Sequence, residues 1–356
     1  MEEKISEYVI QKGNADNAEL KAYCKSFEDN GSLRDLKNVE WLHRQNLANK
    51  NTIYYAKKEN KIAGIYTALP VPFRINNTKV YGLQAIDALT DRKHRGNGLF
   101  PKLAKKLFAD AEEEKYVLVY GFPNENSSRG HFDKLEWTSF GEIPFLLKPI
   151  NYLYIFKRFF RSEIAANSDI NFIYNAPLSK EINKTTQIKM LSGFDRQYDK
   201  IWEKASVNIN ICAERNAVYM QWRYVSKPCE HYYRYGLFVN GKLEAVVVYS
   251  IKKKHRGIIA YLMELIYDPQ YPATGTLLLK FVTEQCKSQK IDVILAWSLS
   301  HSFNHKSFKK SGYYELPQKL RPQKLFFGVR ALNKNYKPAI LNINNWYISY
   351  SDSDTS

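Results

Sequence analysis

Two runs rich in strand-forming residues, T-I-Y-Y-A-K-K (52–58) and K-I-A-G-I-Y-T-A-L (61–69), flank a Glu59-Asn60 turn and predict a strand pair. K-V-Y-G-L-Q-A-I-D-A-L-T (79–90) predicts a further strand. The period then changes. Leu99, Leu103 and Leu107 recur four apart with Phe100, Ala104 and Phe108 beside them, a single apolar stripe of the kind a helix buries. Pro101 falls in the first turn of that helix, where its missing N–H costs nothing. Y-V-L-V-Y-G-F (116–122) is continuously apolar and predicts a buried strand. The polar P-N-E-N-S-S that follows supplies capping residues for a short helix around Arg129–Leu135.

The same outline returns in the second half. E-N-K-I-A-G-I-Y (59–66) is echoed by N-G-K-L-E-A-V-V (240–247), A-I-D-A-L-T-D (85–91) by L-M-E-L-I-Y-D (262–268), and H-F-D-K-L-E-W (131–137) by S-F-K-K-S-G-Y (307–313). One offset of about 180 residues relates all three pairs, which points to duplicated units. The expected joint is the aromatic and basic L-L-K-P-I-N-Y-L-Y-I-F-K-R-F-F-R-S (146–162), read as a linker helix, with a membrane-surface helix as the alternative.

A hydrophobic fraction of 44% places the chain among globular proteins. Cys24, Cys212, Cys229 and Cys286 form no C-x-x-C pair, which argues against a zinc site or a disulfide framework. The opening M-E-E-K-I-S-E-Y lacks the layout of an export signal, and no apolar run reaches membrane-spanning length, so a cytoplasmic protein is expected. Lys and Arg number 53 against 36 acids, a formal charge of +17 that favours an anionic partner. Phosphorylated cofactor, acidic carrier, nucleic acid and lipid surface all satisfy it.

R-K-H-R-G-N-G-L (92–99) narrows the choice, because it places two glycines between a predicted strand and a predicted helix. Such a turn leaves backbone N–H groups pointing outward at the positive end of the helix dipole, a seat for diphosphate. Side chains at Gly96 and Gly98 would obstruct close approach, and Lys93 and Arg95 add charge at the rim. The G-x-x-x-x-G-K-S/T of a triphosphate loop and the third glycine of a dinucleotide fingerprint are both missing.

Strand, Lys93-His94-Arg95-Gly96-Asn97-Gly98-Leu99, amphipathic helix, apolar strand, the Asn124–Ser127 loop, then Phe132-Asp133-Lys134-Leu135-Glu136-Trp137: over roughly 50–145 this resembles the GNAT superfamily of acyl-CoA-dependent N-acetyltransferases. F-D-R-Q-Y-D-K-I-W-E (194–203), R-N-A-V-Y-M-Q-W-R-Y (215–224) and N-W-Y-I-S-Y-S-D-S-D (345–354) resemble a two-unit subgroup associated with bacterial polysaccharide and amino-sugar modification. The resemblance implies an α/β (α+β) fold of two tandem GNAT-like units, each a mixed, mostly antiparallel sheet flanked by helices. It divides the chain into an acyl-CoA-binding domain (1–148), a linker (149–180) and a degenerate unit (181–356) that shapes the acceptor site.

By the same resemblance, Ala88, Leu89 and Thr90 lie along the pantetheine arm of acetyl-CoA or another acyl-CoA, and Lys93, Arg95, Gly96, Asn97, Gly98 and Leu99 hold its pyrophosphate. Asn124, Asn126 and Ser127 contact pantetheine or adenosine, or simply cap a helix. Two departures stand out. Lys93 occupies a position the family gives to Arg or Gln, and Phe132 replaces the Tyr that many members use to protonate the leaving thiolate. Tyr120, His131 or solvent are the substitutes. Deprotonation of the attacking amine calls for a carboxylate or imidazole. Asp87 is the first candidate and His94 the second, with Asp87 as a solvated strand residue or a partner of neighbouring Lys and Arg the alternatives.

In the second half Y-P-A-T-G-T (271–276) stands where the first has H-R-G-N-G, so the cofactor turn is lost. Arg215, Tyr219, Trp222 and Arg223 are the acceptor-binding candidates, with domain packing as the alternative reading. The acceptor expected is a small-molecule primary amine, an amino sugar or nucleotide-linked amino sugar, with no metal and no nucleic acid. A Fem-type transferase using aminoacyl-tRNA and a non-catalytic acyl-CoA sensor are the competing functions.

Overall fold

The computed structural model describes residues 7–159, 170–171 and 174–353. In chain order it begins with β1 (Val9–Lys12), α1 (Asn17–Asp29), α2 (Leu36–Arg44), β2 (Ile53–Lys58), β3 (Lys61–Ile75) and β4 (Thr78–Thr90). α3 (Leu99–Glu113), β5 (Leu118–Gly121), α4 (Glu125–Lys134), β6 (Thr138–Glu142), β7 (Phe145–Pro149), α5 (Tyr152–Phe159) and β8 (Ile170–Asn171) follow. Next come β9 (Ser179–Asn183), β10 (Thr186–Met190), α6 (Arg196–Ser206), β11 (Ile211–Ala213), α7 (Ala217–Tyr224), β12 (Tyr233–Val239) and β13 (Lys242–Lys254). The chain closes with β14 (Gly257–Tyr267), α8 (Pro272–Ser288), β15 (Val293–Trp297), α9 (His305–Lys310), β16 (Tyr314–Glu315), β17 (Phe326–Ala331) and α10 (Lys337–Ile340).

Local chemistry sets these boundaries. Asp16, Asp35, Asp195 and Asn216 accept from the amides of Glu19, Asn38, Gln197 and Tyr219 and so start α1, α2, α6 and α7. The hairpins β2–β3, β3–β4, β12–β13 and β13–β14 turn on Glu59-Asn60, Asn76-Asn77, Asn240-Gly241 and His255-Arg256. Every one of these residues has positive φ, the geometry of the tight two-residue turn that suits twisted strands.

The chain divides into two compact units. Unit 1 holds the chain up to Gly141 with Lys227–Cys229 and Leu325–Ile343; unit 2 holds Glu142–Ser226, Glu230–Lys324 and the chain from Asn344 on. Each unit is built on a sheet. The order in unit 1 is β1-β2-β3-β4-β5-β17-β6, and in unit 2 it is β16-β7-β15-β14-β13-β12-β10-β9. The expected repeat is visible in the elements, since β3, β4 and α4 have counterparts in β13, β14 and α9.

Neither unit is a continuous piece of chain. β17, from the far end of the sequence, lies between β5 and β6, while β7 lies between β15 and β16. The stretch 146–162, expected as a joint helix, therefore divides. Phe145–Pro149 is a strand paired with β15 through Leu147↔Leu295, and Tyr152–Phe159 is helical. Pro149 disfavours helix at the residue before it, and Asn151 Oδ1 accepts from the Leu153 amide at 3.1 Å to start the helix two residues later. The part of the expected linker at 160–169 lies outside the described residues.

In unit 1, α3 packs its Leu99, Leu103, Leu107, Ala104 and Phe108 stripe against Tyr54, Tyr66, Leu83 and Val119 of the sheet. Ile53, Tyr55 and Ile65, which alternate with those strand positions, meet Leu20, Tyr23 and Phe27 of α1, so helices cover both faces. In unit 2, α8 contributes Leu278, Leu279, Phe281 and Val282 to a core with Tyr235, Val247 and Leu262.

One topological feature of unit 1 prepares the site. β4 and β5 are parallel and pair only at Leu83↔Val119 and Gln84↔Tyr120, whereas β4 continues to Thr90 against β3. Gly121 permits the last close approach, since a Cβ there would stand 3.2 Å from the Ala85 carbonyl oxygen. Beyond that point β4 keeps β3 on one side, and its other edge is left without a paired strand among the described residues.

Candidate functional site

The glycine turn lies just past the end of that edge. Gly96 and Gly98 have φ of +86° and +67°, and a Cβ built on either meets nothing within 4 Å. Gly98 is the N-cap of α3 and offers no side-chain cap, so the first amides of a fifteen-residue helix are left to an outside acceptor. Before the turn, Asp91 Oδ1 accepts from the Lys93 amide at 2.8 Å, a bond that holds its carboxyl below the usual range. Asn97 Nδ2 donates to the His94 carbonyl at 3.0 Å and braces the loop. Lys93, Arg95 and Asn97 are exposed, while the Leu99 side chain is buried under α3 and only its amide can face a ligand. A bare, dipole-facing, positively rimmed seat is what a diphosphate requires.

The β4 edge carries a bulge. Tyr66 pairs with Ala88 and Ala68 with Ala85, so Thr67 stands opposite both Ile86 and Asp87. Thr67 Oγ1 fills the gap, accepting from the Asp87 amide at 3.3 Å. A bulge re-aims the side chains around it. Here the re-aimed group is Asp87, with Ala88, Leu89 and Thr90 continuing along the edge.

Asp87 is not a solvated strand residue. Arg34 donates to it from Nη2 at 2.6 Å and from Nε at 3.0 and 3.1 Å, and Tyr23 donates its hydroxyl at 2.5 Å. Arg34 itself lies over the Phe27 ring at 4.3 Å. Burial, then the Asp87 charge, push the Tyr23 phenol well above its ordinary value, so it remains a donor. His43, edge-on to Tyr23 at 5.8 Å, is drawn down to about 4 by burial and stays neutral at physiological pH. Three donors on about four lone-pair sites leave the carboxylate room for one more.

The other candidates are scattered more widely. His94 Nδ1 pairs with the Tyr8 hydroxyl at 3.1 Å, half-buried beside the glycine turn. Tyr120 is buried at the last paired position of β4 and β5, its hydroxyl 3.4 Å from Gln84 Oε1. His131 Nδ1 donates to the Ser127 carbonyl at 2.9 Å, and burial among Trp137, Phe100 and Tyr66 lowers its pKa; the neutral ring has no imidazolium proton to give. Phe132 packs against β17, edge-on to Phe326 and close over Gly328. Asn124 is the N-cap of α4, accepting from the amides of Asn126 and Ser127 at 3.0 and 3.1 Å, so its oxygen is committed to the helix. Asn126 remains exposed.

Arg215, Tyr219, Trp222 and Arg223 are all buried, within unit 2. Arg215 Nε donates to Glu264 at 2.6 Å and its Nη2 to Asp352, with Ser349 Oγ at 3.3 Å. Tyr219 shares a 2.8 Å hydrogen bond with the Ser351 hydroxyl, and Arg223 donates to the Ser353 carbonyl at 2.5 Å. These groups lock the segment 346–353 onto unit 2. They face partners inside the unit, in the packing role that stood as the alternative to acceptor contact. The lost cofactor turn is replaced by packing too. Gly275 lies inside α8, where a Cβ would meet the Tyr267 ring at 2.3 Å.

Arg34 and Tyr23 escaped the reading of the sequence. A signal for Arg34 existed: R-D-L-K-N-V-E-W (34–41) and R-N-A-V-Y-M-Q-W (215–222) match at Arg, at the cap and at Trp, on the same offset as the other repeats. Among the described residues no His, Cys, Asp or Glu cluster suits a metal ion, and no helix is long and apolar enough to cross a membrane.

Open β4 edge, bulged carboxylate and bare turn are the geometry of an acyl-CoA-dependent N-acyltransferase fold. The family model of an acetyltransferase (GNAT) domain matches residues 16–139. Solved structures extend the likeness over both units. A GCN5-related N-acetyltransferase from Anabaena variabilis aligns with 92% of this chain and 73% of its own at TM-score 0.62 and 12% identity. Saccharomyces cerevisiae N-myristoyltransferase with bound myristoyl-CoA aligns over 92% and 83% at TM-score 0.58 and 12% identity. An Enterococcus faecalis protein described as a probable N-acyltransferase aligns over 92% and 72%, also at 0.58 and 12%. No curated protein sequence matches the chain.

Proposed function

We propose that the chain is an acyl-CoA-dependent N-acyltransferase that modifies a primary amine, with acetyl-CoA as donor and an amino sugar, free or nucleotide-linked, as acceptor. The observation that carries this reading is the pair of left-handed glycines with open space before them, set at the end of an unpaired strand edge.

When bound, the cofactor supplies an acyl group as a thioester. The amides around Gly96, Gly98 and Leu99, with Lys93 and Arg95 at the rim, would hold its diphosphate, and Ala88 to Thr90 would align its arm. Asp87 takes the proton from the attacking nitrogen as the C–N bond forms. An amide on the open side of the edge, that of Ala88 or Thr90, meets the carbonyl oxygen, a role needing no particular side chain; the Leu89 amide, two residues before the Asp91 amide that donates to the Ala63 carbonyl, faces β3 instead. As the C–S bond breaks the sulfur takes up a proton, from the Tyr120 hydroxyl or from solvent. The products are an amide and a free thiol, and a thiol of pKa roughly 8.5 needs little help in leaving.

Thiol release from acetyl-CoA across a panel of amines tests the reading, with myristoyl-CoA as a second donor because the yeast neighbour binds it. Asp87→Asn is expected to lower turnover about 100-fold at pH 6 to 7, within the range for lost general base catalysis. The deficit should shrink as the pH nears the amine's own pKa, where free amine no longer needs a base. A deficit that does not vary with pH would remove Asp87 from proton transfer. Tyr120→Phe is expected to cost no more than about tenfold in kcat, with acyl-CoA affinity unchanged, as for an acid assisting a good leaving group.

A further inference from the structure

One end of the unit 2 sheet gathers cations that have few acids to meet. β13 ends and β14 begins there, at the hairpin K-K-K-H-R (252–256). β15, parallel to β14, also begins there, and β7, antiparallel to β15, ends there and leads into α5. Across 148–155, 252–258 and 286–292 the sequence carries seven Lys or Arg and one acid. That acid, Asp292, holds the segments together. Its carboxylate accepts from the Asn151 side-chain amide and from the Ile258 backbone amide, both at 2.8 Å, and its own amide donates to the Ile258 carbonyl at 2.8 Å. Lys252 is buried and pairs with Glu230 at 3.0 Å. Lys253, Arg256, Lys287 and Lys290 are exposed, and none of them has an ion-pair partner among the described residues. Burial, then the charge of Lys287, lowers the Lys148 ammonium, as expected where like charges crowd.

α5 starts beside these charges. Tyr154 turns inward: its ring lies over Gly257, where a Cβ would collide with it, and its hydroxyl donates to the His255 carbonyl at 3.0 Å. Tyr152 and Leu153 turn outward, at 74% and 69% exposure. A tyrosine and a leucine presented together among unpaired cations match a bilayer interface in both of its layers. Tyrosine rests at headgroup level, leucine reaches the acyl boundary, and Lys and Arg meet the anionic phosphates.

We infer that this end of unit 2 is a docking surface for an anionic phospholipid bilayer, with Tyr152 and Leu153 entering the headgroup region and Lys253, Arg256, Lys287 and Lys290 lying against lipid phosphates. Nucleic acid would satisfy the cations but offers no apolar layer to Leu153. The surface lies at the opposite end of the sheet from 271–276, the place of the lost cofactor turn, and docking there does not rest on acyl transfer.

Co-sedimentation of the full chain with vesicles tests this. Binding to phosphatidylcholine vesicles that contain phosphatidylglycerol is expected to be at least about tenfold tighter than to phosphatidylcholine alone, and to weaken with added salt. Lys253→Gln, Arg256→Gln, Lys287→Gln and Lys290→Gln combined should lower affinity for the anionic vesicles at least about 100-fold. Tyr152→Ser with Leu153→Ser should lower it at least about tenfold and leave the salt dependence as in the wild type. Lys21→Gln, Lys37→Gln, Lys61→Gln and Lys79→Gln combined, at exposed lysines of unit 1, make the same change in net charge and should cost far less. Every substituted position is exposed, and melting temperatures near wild type check that the variants fold. Equal binding to the two kinds of vesicle, or an equal loss in the unit 1 variant, overturns the inference. Undiminished vesicle binding by the Tyr152→Ser, Leu153→Ser variant overturns it too, and tighter binding of duplex DNA than of anionic vesicles would assign the surface to nucleic acid instead.

Discussion

Gly98→Val is expected to weaken acyl-CoA binding by at least about 100-fold in calorimetry while leaving a folded protein. The argument has two separable parts. Gly98 has φ of +67°, a conformation that a β-branched residue adopts only with strain, about 1–3 kcal/mol. That strain affects the empty protein and should appear as a lower unfolding temperature. Blocking is the second part. An added Cβ meets no protein atom within 4 Å, so the side chain has room, but the room is where the diphosphate must approach the amides. Losing two hydrogen bonds to a charged group, at about 1.5–3 kcal/mol each, corresponds to a hundredfold or more. Gly98→Asn separates the parts, because Asn tolerates the left-handed region with little strain and still fills the space. It should bind as poorly as the valine variant and melt close to wild type. Undiminished heat from acetyl-CoA with either variant would remove the turn from the cofactor site. Arg95→Ala, at the exposed rim, should lose about tenfold at low salt and less at high salt, where surface charge is screened.

What could be read from the sequence and what could not differ in physical kind. The strand pair around Glu59-Asn60, the α3 stripe and the glycine turn depend on neighbours in sequence, and local periodicity and turn chemistry suffice for them. The repeat was legible because hydrophobic pattern and helix caps recur at one offset. Strand exchange was not. β7 and β17 are short apolar segments that fit either sheet, and nothing local specifies that Leu147 will pair with Leu295, or Val329 with Tyr120. Partners of charged residues were equally hidden. Asp87 was legible as a polar residue in an apolar strand, but its ion pair comes from Arg34, 53 residues earlier. Arg215 drew attention as an arginine beside aromatics, a composition shared by sugar-binding surfaces and by packed ion-pair clusters. Its burial depends on the closing segment, 137 residues away at Asp352. Asn124 shows the same ambiguity at short range, since a cap and a ligand contact need the same side-chain oxygen.

Arg215→Met is expected to destabilise unit 2 by about 3–5 kcal/mol at pH 7, the usual result of removing one partner from a buried ion pair. That corresponds to a fall in melting temperature on the order of 10 °C for a domain of this size. Two carboxylates, Glu264 and Asp352, would remain fully buried with their shared cation gone. Burial already holds both above the ordinary carboxylate range with Arg215 in place, and without it they must rise further. The sign of the pH dependence follows. A carboxyl raised in the folded state keeps a proton that the unfolded chain releases, so its contribution is fully present below the unfolded value of about 4 and is lost as pH climbs through the folded one. The deficit of the variant should therefore grow from pH 5 to pH 8. Neutralising the strand partner as well, in Arg215→Met with Glu264→Gln, should recover part of the loss. The experiment also separates the two roles open to Arg215. A structural arginine gives this pH-dependent loss of stability, whereas one that touches the acceptor gives a raised KM for the amine at wild-type melting temperature. Burial and the three side chains that Arg215 engages in unit 2 favour the first outcome.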